Sequence, residues 1–154
     1  MIHPAILIAL SYLIGSIPSA YLAGKLTRGI DLREHGSGNL GATNVYRVLG
    51  PRIAIVVLLA DVLKGALPVL VFPGLTAASR PDLWAIAYAV AAIAGHVRSI
   101  FLLLRGGGKG VATAAGAFMS LAPLPSLVAL GIFILVLFGF GWLPRIAAVY
   151  SATL

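Results

Sequence analysis

Ile53-Ala54-Ile55-Val56-Val57-Leu58-Leu59-Ala60-Asp61-Val62-Leu63-Lys64-Gly65-Ala66-Leu67-Pro68-Val69-Leu70-Val71-Phe72 decides the fold class. Read as one helix, this run is long enough to cross the roughly 30 Å hydrocarbon core of a bilayer. Its only charges, Asp61 and Lys64, stand three residues apart, so they share one helix face and can pair. Charges at membrane depth are expensive and mark polar sites. The pair is read as a structural anchor for a polar cavity, with Asp61 as a general base the lesser alternative.

The same signature extends outward along the chain. Of 154 residues, 60% are hydrophobic and 10% charged, with a mean hydropathy of +1.06. A soluble domain carries about 25% charged residues. The chain therefore reads as a single integral membrane domain over residues 1–154. Met1 to Leu22 is an apolar run interrupted by Gly15, Ser16 and Pro18. With no basic n-region and no cleavage signature, it reads as a retained first span, not a signal peptide. Leu83 to Gly95 and Val111 to Leu121 are short for full crossings, and Ser126 to Leu143 is the last clear span. Short or Gly/Pro-interrupted spans suggest broken helices lining a polar cavity. The expected architecture is an all-α bundle of about five transmembrane helices, some short or broken, with two Gly-rich cytoplasmic loops.

Cysteine is absent, which excludes disulfides, a thiolate nucleophile and Cys-based metal sites. The only acids are Asp31, Glu34, Asp61 and Asp82, so no metal site and no cofactor are expected. The net charge of +7 would suggest nucleic acid in a soluble protein. Here it reads as membrane orientation instead. Lys25, Arg28, Arg33, Arg47 and Arg52 lie between the first two spans, and Arg98, Arg105 and Lys109 between the third and fourth. Arg80 stands alone between the second and third. This asymmetry predicts an outside N-terminus and two cytoplasmic basic loops.

Both loops are built for anions. Gly36-Ser37-Gly38-Asn39-Leu40-Gly41-Ala42-Thr43-Asn44-Val45-Tyr46-Arg47 collects glycines, hydroxyls, carboxamides and an arginine without one carboxylate. Glycines turn backbone N–H groups toward a ligand, and arginine offers a planar fork that suits phosphate. Its G-x-G-x-x-G pattern lacks the preceding strand that a dinucleotide fold requires. A short helix over Ala42–Leu49 would put Thr43, Asn44 and Arg47 on one face. The second loop, Gly106-Gly107-Gly108-Lys109-Gly110-Val111-Ala112-Thr113, also runs into an apolar helix. Leu103 and Gly110 break the Walker A pattern, so a nucleotide hydrolase is not expected. A nest of amides with an ammonium remains, which again suits phosphate. Two such loops on one face imply two phosphate-bearing ligands, or one ligand with two phosphates. His96, at the end of the third span, is an acid/base candidate or an interfacial anchor. Phe101 stands where one acyltransferase class carries an Asp five residues after its His, so that class is excluded at this histidine.

These motifs resemble the bacterial acyl-phosphate:glycerol-3-phosphate acyltransferases. Gly36 to Arg47 is similar to the family's first motif. Gly95-His96, Phe101-Leu102 and Gly107 to Thr113 are similar to the second. Asp61, Lys64 and Gly65 fit its Asp-x-x-Lys-Gly element, and Tyr12 to Pro18 resembles its N-terminal helix. The similarity runs from the start of the chain to about Phe140. It implies an enzyme of bacterial phospholipid biosynthesis, in the cytoplasmic membrane, that moves a fatty acyl group from acyl phosphate to the 1-hydroxyl of glycerol 3-phosphate. The products would be lysophosphatidate and inorganic phosphate, with no covalent acyl-enzyme. Carried over position by position, Ser37, Arg47, Lys109 and His96 are the catalytic candidates, the first three holding substrate phosphate. Asn39, Thr43, Asn44, Gly107, Gly108, Gly110 and Thr113 would complete the phosphate pockets. Membrane lipid and a soluble enzyme that makes the acyl phosphate are the implied partners. Arg98 and Ser99 depart from the apolar residue and proline usual in the family. Family members continue through a third Ser-containing motif, of which Arg145 and Tyr150-Ser151 are a weak trace, so a truncated or frameshifted chain is expected. A non-catalytic anion-binding or transport protein, or an inactive remnant of the acyltransferase, are the alternatives.

Overall fold

The computed structural model describes residues 1–139, and among them every regular element is helical. Helix α1 (Pro4–Ser16) opens at a proline, with His3 Nδ1 accepting from the Ala5 N–H. It stops just before Pro18, which has no backbone donor to continue it. Helix α2 (Ser19–Arg28) resumes at once and ends at Gly29. Together they form one interrupted apolar span, Pro4–Arg28. A 3₁₀ turn at Leu32–Glu34 leads to the short α3 (Ala42–Leu49) and then to α4 (Pro51–Val71). α5 (Pro81–Val97) passes through a 3₁₀ turn at Ile100–Leu102 toward α6 (Val111–Leu121) and α7 (Pro123–Gly139).

Pro4–Arg28, Pro51–Leu75 and Pro81–Leu102 are long and apolar enough to cross a membrane, and Val111–Leu121 and Pro123–Val136 are shorter apolar helices. This is the all-helical membrane architecture expected from hydropathy. The third span is longer than the Leu83–Gly95 stretch read from hydropathy. Its polar end turns inward, with His96 and Ser99 buried, so an apolar window stops before the helix does. The last helix starts at Pro123 rather than Ser126, since proline is well suited to a first helical turn. Residues 140–143 of that expected span, and Arg145, Tyr150 and Ser151, lie outside the described residues.

Residues Met1–Leu121 form one compact unit, and the described part of the second unit is α7. Within the first unit α1 packs on α5 and α4 on α6. Both crossings are backbone to backbone. A Cβ on Gly15 would strike the Ala92 carbonyl, and one on Gly65 the Thr113 carbonyl. In a bilayer, where lipid tails are as apolar as leucine, such close approach supplies the dispersion that holds helices together. Large apolar side chains point outward instead, with Ile55, Leu59, Leu63 and Leu70 of α4 all exposed. The interior correspondingly holds polar groups, among them Asn44, Asp61, Lys64, His96 and Ser99.

Candidate functional site

The interruption between α1 and α2 frees carbonyl oxygens that an unbroken helix would use. Ser99 Oγ donates to the Ser16 carbonyl at 2.5 Å, and Lys64 Nζ donates to the Ile17 carbonyl at 2.9 Å. Lys64 Nζ also lies 2.8 Å from Asp61 Oδ1, with the two side chains 7% and 2% exposed. Ser19 Oγ donates to the same carboxylate oxygen. His96 Nδ1 stands 3.6 Å from it, too far for a hydrogen bond. One buried carboxylate thus ties α2 to α4 and faces α5. Above this cluster lies a narrow cleft whose wall includes Lys64, His96, Leu40, Leu102, Gly107 and Gly108. Among the described residues, Ser16 Oγ and His96 Nδ1 have no hydrogen-bond partner and are buried there.

The first glycine loop turns through Gly36 and Gly38, with φ of 62° and 71°, a region costly for residues with a Cβ. Asn44 holds it from below. Its Oδ1 accepts from the Ser37 N–H at 2.8 Å, and its Nδ2 donates to the carbonyls of Leu32 at 3.3 Å and His35 at 3.0 Å. The second loop is reached through Leu103 and Leu104, both left-handed at φ 54° and 61°. The Leu104 N–H is satisfied by the Ser99 carbonyl at 2.9 Å. The two loops then meet. A Cβ on Gly108 would fall on His96 Nε2 and 2.8 Å from the Leu40 carbonyl, and one on Gly107 would fall on the carbonyls of His96 and Val97.

Arg33 joins the loops from outside. Its Nη2 pairs with Asp31 Oδ2 at 2.6 Å, and its Nη1 donates to the Arg105 carbonyl at 3.4 Å. The guanidinium sits 5.4 Å from the centroid of the Tyr21 ring. The Arg33 guanidinium holds the Asp31 carboxyl down at about 2. Because that value is depressed, the pair's contribution is full above the ordinary carboxylate range and is lost only as pH falls toward 2. Arg33→Ala is therefore expected to speed amide hydrogen exchange over residues 105–110 by about tenfold or more. Protection in the parent protein, corrected for intrinsic rates, should stay constant between about pH 5 and 8. Unchanged exchange in the variant would mean that Arg33 does not tie the loops.

The predicted residues do not all share one surface. Ser37, Thr43, Arg47 and Lys109 are exposed and Asn39 is half-buried. Arg47 and Lys109 make no hydrogen bond or ion pair among the described residues. Thr43 and Arg47 share the outer face of α3, but Asn44 turns inward at 1% exposure. Both its amide protons are engaged, so in this geometry it shapes the loop and has no donor left for phosphate. Thr113 is fully buried where α6 crosses α4, away from the loop surface. The buried Gly110 starts α6 at φ 78°. His96, Lys64, Gly107 and Gly108 converge on the cleft, where Asp61 reaches Lys64 from beneath. Sequence reasoning missed Ser19 and Ser99. Their signals were faint: a serine directly after the Pro18 interruption, and a serine just past the end of α5. Among the described residues no cluster of three or more His, Asp or Glu side chains is placed to share a cation.

Comparison with known proteins adds an independent line. The model of a family described as Glycerol-3-phosphate acyltransferase matches residues 5–154, continuing past the Phe140 limit of the recognised motifs. The glycerol-3-phosphate acyltransferase of Geotalea daltonii is 48% identical over 137 residues, covering 89% of this chain and 68% of the relative. That of Trichlorobacter lovleyi is 54% identical over 128 residues, covering 83% and 63%. A crystal structure of PlsY (YgiH), described as an integral membrane glycerol 3-phosphate acyltransferase in its glycerol 3-phosphate form, superposes with a TM-score of 0.75. It is 37% identical, and the match covers 85% of this chain and 66% of that one. The chain thus spans about two thirds of the length of the proteins it matches.

Proposed function

Since the chain belongs to the glycerol-3-phosphate acyltransferase family, we propose that it transfers a fatty acyl group from acyl phosphate to the 1-hydroxyl of glycerol 3-phosphate. The products are lysophosphatidate, which enters phospholipid synthesis, and inorganic phosphate. The observation that carries this reading is the meeting of the two glycine loops at Leu40 and Gly108, over a cleft that holds His96. Two phosphate-bearing substrates require two anion sites next to one reaction centre, and the meeting of the loops supports that reading.

An acyl phosphate is already activated. The hydroxyl oxygen bonds to the carbonyl carbon, the bond from that carbon to the phosphate oxygen breaks, and the hydroxyl proton leaves with the phosphate. Alignment and charge stabilisation are then the main demands on the protein. Arg47 and Lys109, both uncommitted, supply positive charge for the two phosphates. Ser37, Asn39, Thr43 and the amides of Gly107, Gly108 and Gly110 add donors. His96 Nε2, held against Gly108, is placed to orient the hydroxyl. The acyl tail lies against the apolar outer faces of the helices, among membrane lipid. The protein sits in the bacterial cytoplasmic membrane with its N-terminus outside and both loops in the cytosol, where glycerol 3-phosphate and a soluble acyl-phosphate-forming enzyme deliver the substrates.

The test is incorporation of radiolabelled glycerol 3-phosphate into lipid by membranes containing the 154-residue chain. Lysophosphatidate is expected with acyl phosphate as donor, and background only with acyl-CoA. No product with acyl phosphate overturns the assignment for this chain. Glycerol 3-phosphate flux into liposomes without acyl transfer would replace it with transport.

A further inference from the structure

Among the described residues, Lys64 has one N–H to spare. Its ammonium carries three donors, of which Asp61 and the Ile17 carbonyl take two, and the side chain forms part of the cleft wall below Gly107–Gly108. Buried polar groups left without partners call for an explanation, and Ser16 Oγ and His96 Nδ1 are two such groups at the same place. A pair serving stability alone has no need of a cleft, because well-packed apolar residues stabilise as well.

We infer that Lys64 is a catalytic residue, donating its third N–H to the carbonyl oxygen of the acyl donor. Asp61 is then a positioning residue that aims the ammonium through its Oδ1. The inference deepens the acyl-transfer reading and rests on it. The cleft chooses the carbonyl over a phosphate. Its wall sets hydrocarbon at Leu40 and Leu102 beside Lys64, His96 and the hydroxyl-bearing Ser16, Ser19 and Ser99, a mixture that suits a carbonyl at the end of a fatty chain. A phosphate dianion would face the Asp61 carboxylate in a poorly screened interior. A carbonyl is neutral on arrival and gains charge only as the reaction proceeds. When the hydroxyl oxygen bonds to the carbonyl carbon, the C=O electron pair moves onto the oxygen facing Lys64. Collapse returns that pair and expels phosphate together with the hydroxyl proton. An ammonium fixed in place beforehand stabilises the transition state more than the bound substrate, which is the condition for raising kcat.

Two variants of the 154-residue chain in detergent decide the matter. Asp61→Asn leaves a buried ammonium without its carboxylate, whereas Asp61→Asn with Lys64→Met removes both charges. A structural pair predicts that the double variant is the healthier in every respect, since an unpaired buried charge is worse than none. A catalytic Lys64 predicts opposite orders. The double variant should unfold at the higher temperature, yet have a kcat about 100-fold below the parent, with KM for glycerol 3-phosphate within about threefold. Asp61→Asn should unfold earlier and keep the higher kcat. A double variant turning over within about threefold of the parent overturns the inference. Should the double variant not fold, Asp61→Asn still decides, because a folded-fraction kcat below about 1% of the parent value overturns it and a higher one supports it. A parent chain that transfers no acyl group at all instead removes the underlying reading.

Discussion

Arg47→Ala and Lys109→Ala are each expected to lower kcat/KM by about 100-fold or more, equivalent to about 2.7 kcal/mol of transition-state stabilisation. Both side chains are exposed, and neither makes a hydrogen bond or ion pair among the described residues. Thermal unfolding of each variant should therefore stay close to the parent, as for most surface substitutions. That separation is the point of the prediction. A residue with no structural partner, whose loss leaves stability intact and removes turnover, can only be acting on substrate. Arg47→Lys should recover part of the loss and not all of it, because an ammonium keeps the charge but lacks the planar two-pronged fork that fits phosphate. Steady-state kinetics on purified protein, varying each substrate in turn, shows which phosphate each cation holds. Near-normal turnover in either alanine variant removes that residue from the site.

What the sequence discloses and what it withholds follow a physical line. α3 runs over Ala42–Leu49, the span expected from the sequence, because Gly41 and Gly50 bracket it and the apolar residues recur at helical spacing. The meeting of the two loops was foreseeable in outline, since charge asymmetry assigned both to one face. Direction within the fold was not foreseeable. Thr43, Asn44 and Arg47 are all polar and sit within one turn, yet the middle one turns inward to hold three backbone groups while the others stay in solvent. No local property separates them. Only the position of Leu32 and His35, set by the chain that precedes α3, makes the inward orientation favourable. The same holds for Ser19 and Ser99, whose hydroxyls become structural because the chain breaks at Pro18 and frees carbonyls opposite them. Hydropathy measures a residue's average preference for lipid or water. It carries no information on the few polar side chains that satisfy one another inside, and in a membrane protein those side chains build the site.

Gly108→Ala is expected to reduce turnover by about 100-fold with little change in the fold, which makes the smallest substitution in the molecule one of the most damaging. The added methyl would occupy the position of His96 Nε2 and come 2.8 Å from the Leu40 carbonyl. Either the imidazole swings out of the cleft or the loop lifts away from it, and a displacement of about 1 Å at a reacting centre is enough to cost a factor of that size. The backbone of Gly108 is not left-handed, so alanine brings no conformational penalty of its own and the effect comes from the contacts with His96 and the Leu40 carbonyl. Combining the substitution with His96→Ala tests which movement occurs and what the histidine does. Removing the ring takes away the larger clash and leaves the 2.8 Å approach to the Leu40 carbonyl, to which the loop still has to adjust. If His96 only fills space, the double variant should turn over faster than Gly108→Ala. If the imidazole orients the attacking hydroxyl, the double variant should stay at least as slow as His96→Ala alone. Parent-like turnover in Gly108→Ala would show that the second loop does not rest on His96 in the working enzyme, and the site would then have to be rebuilt without that contact.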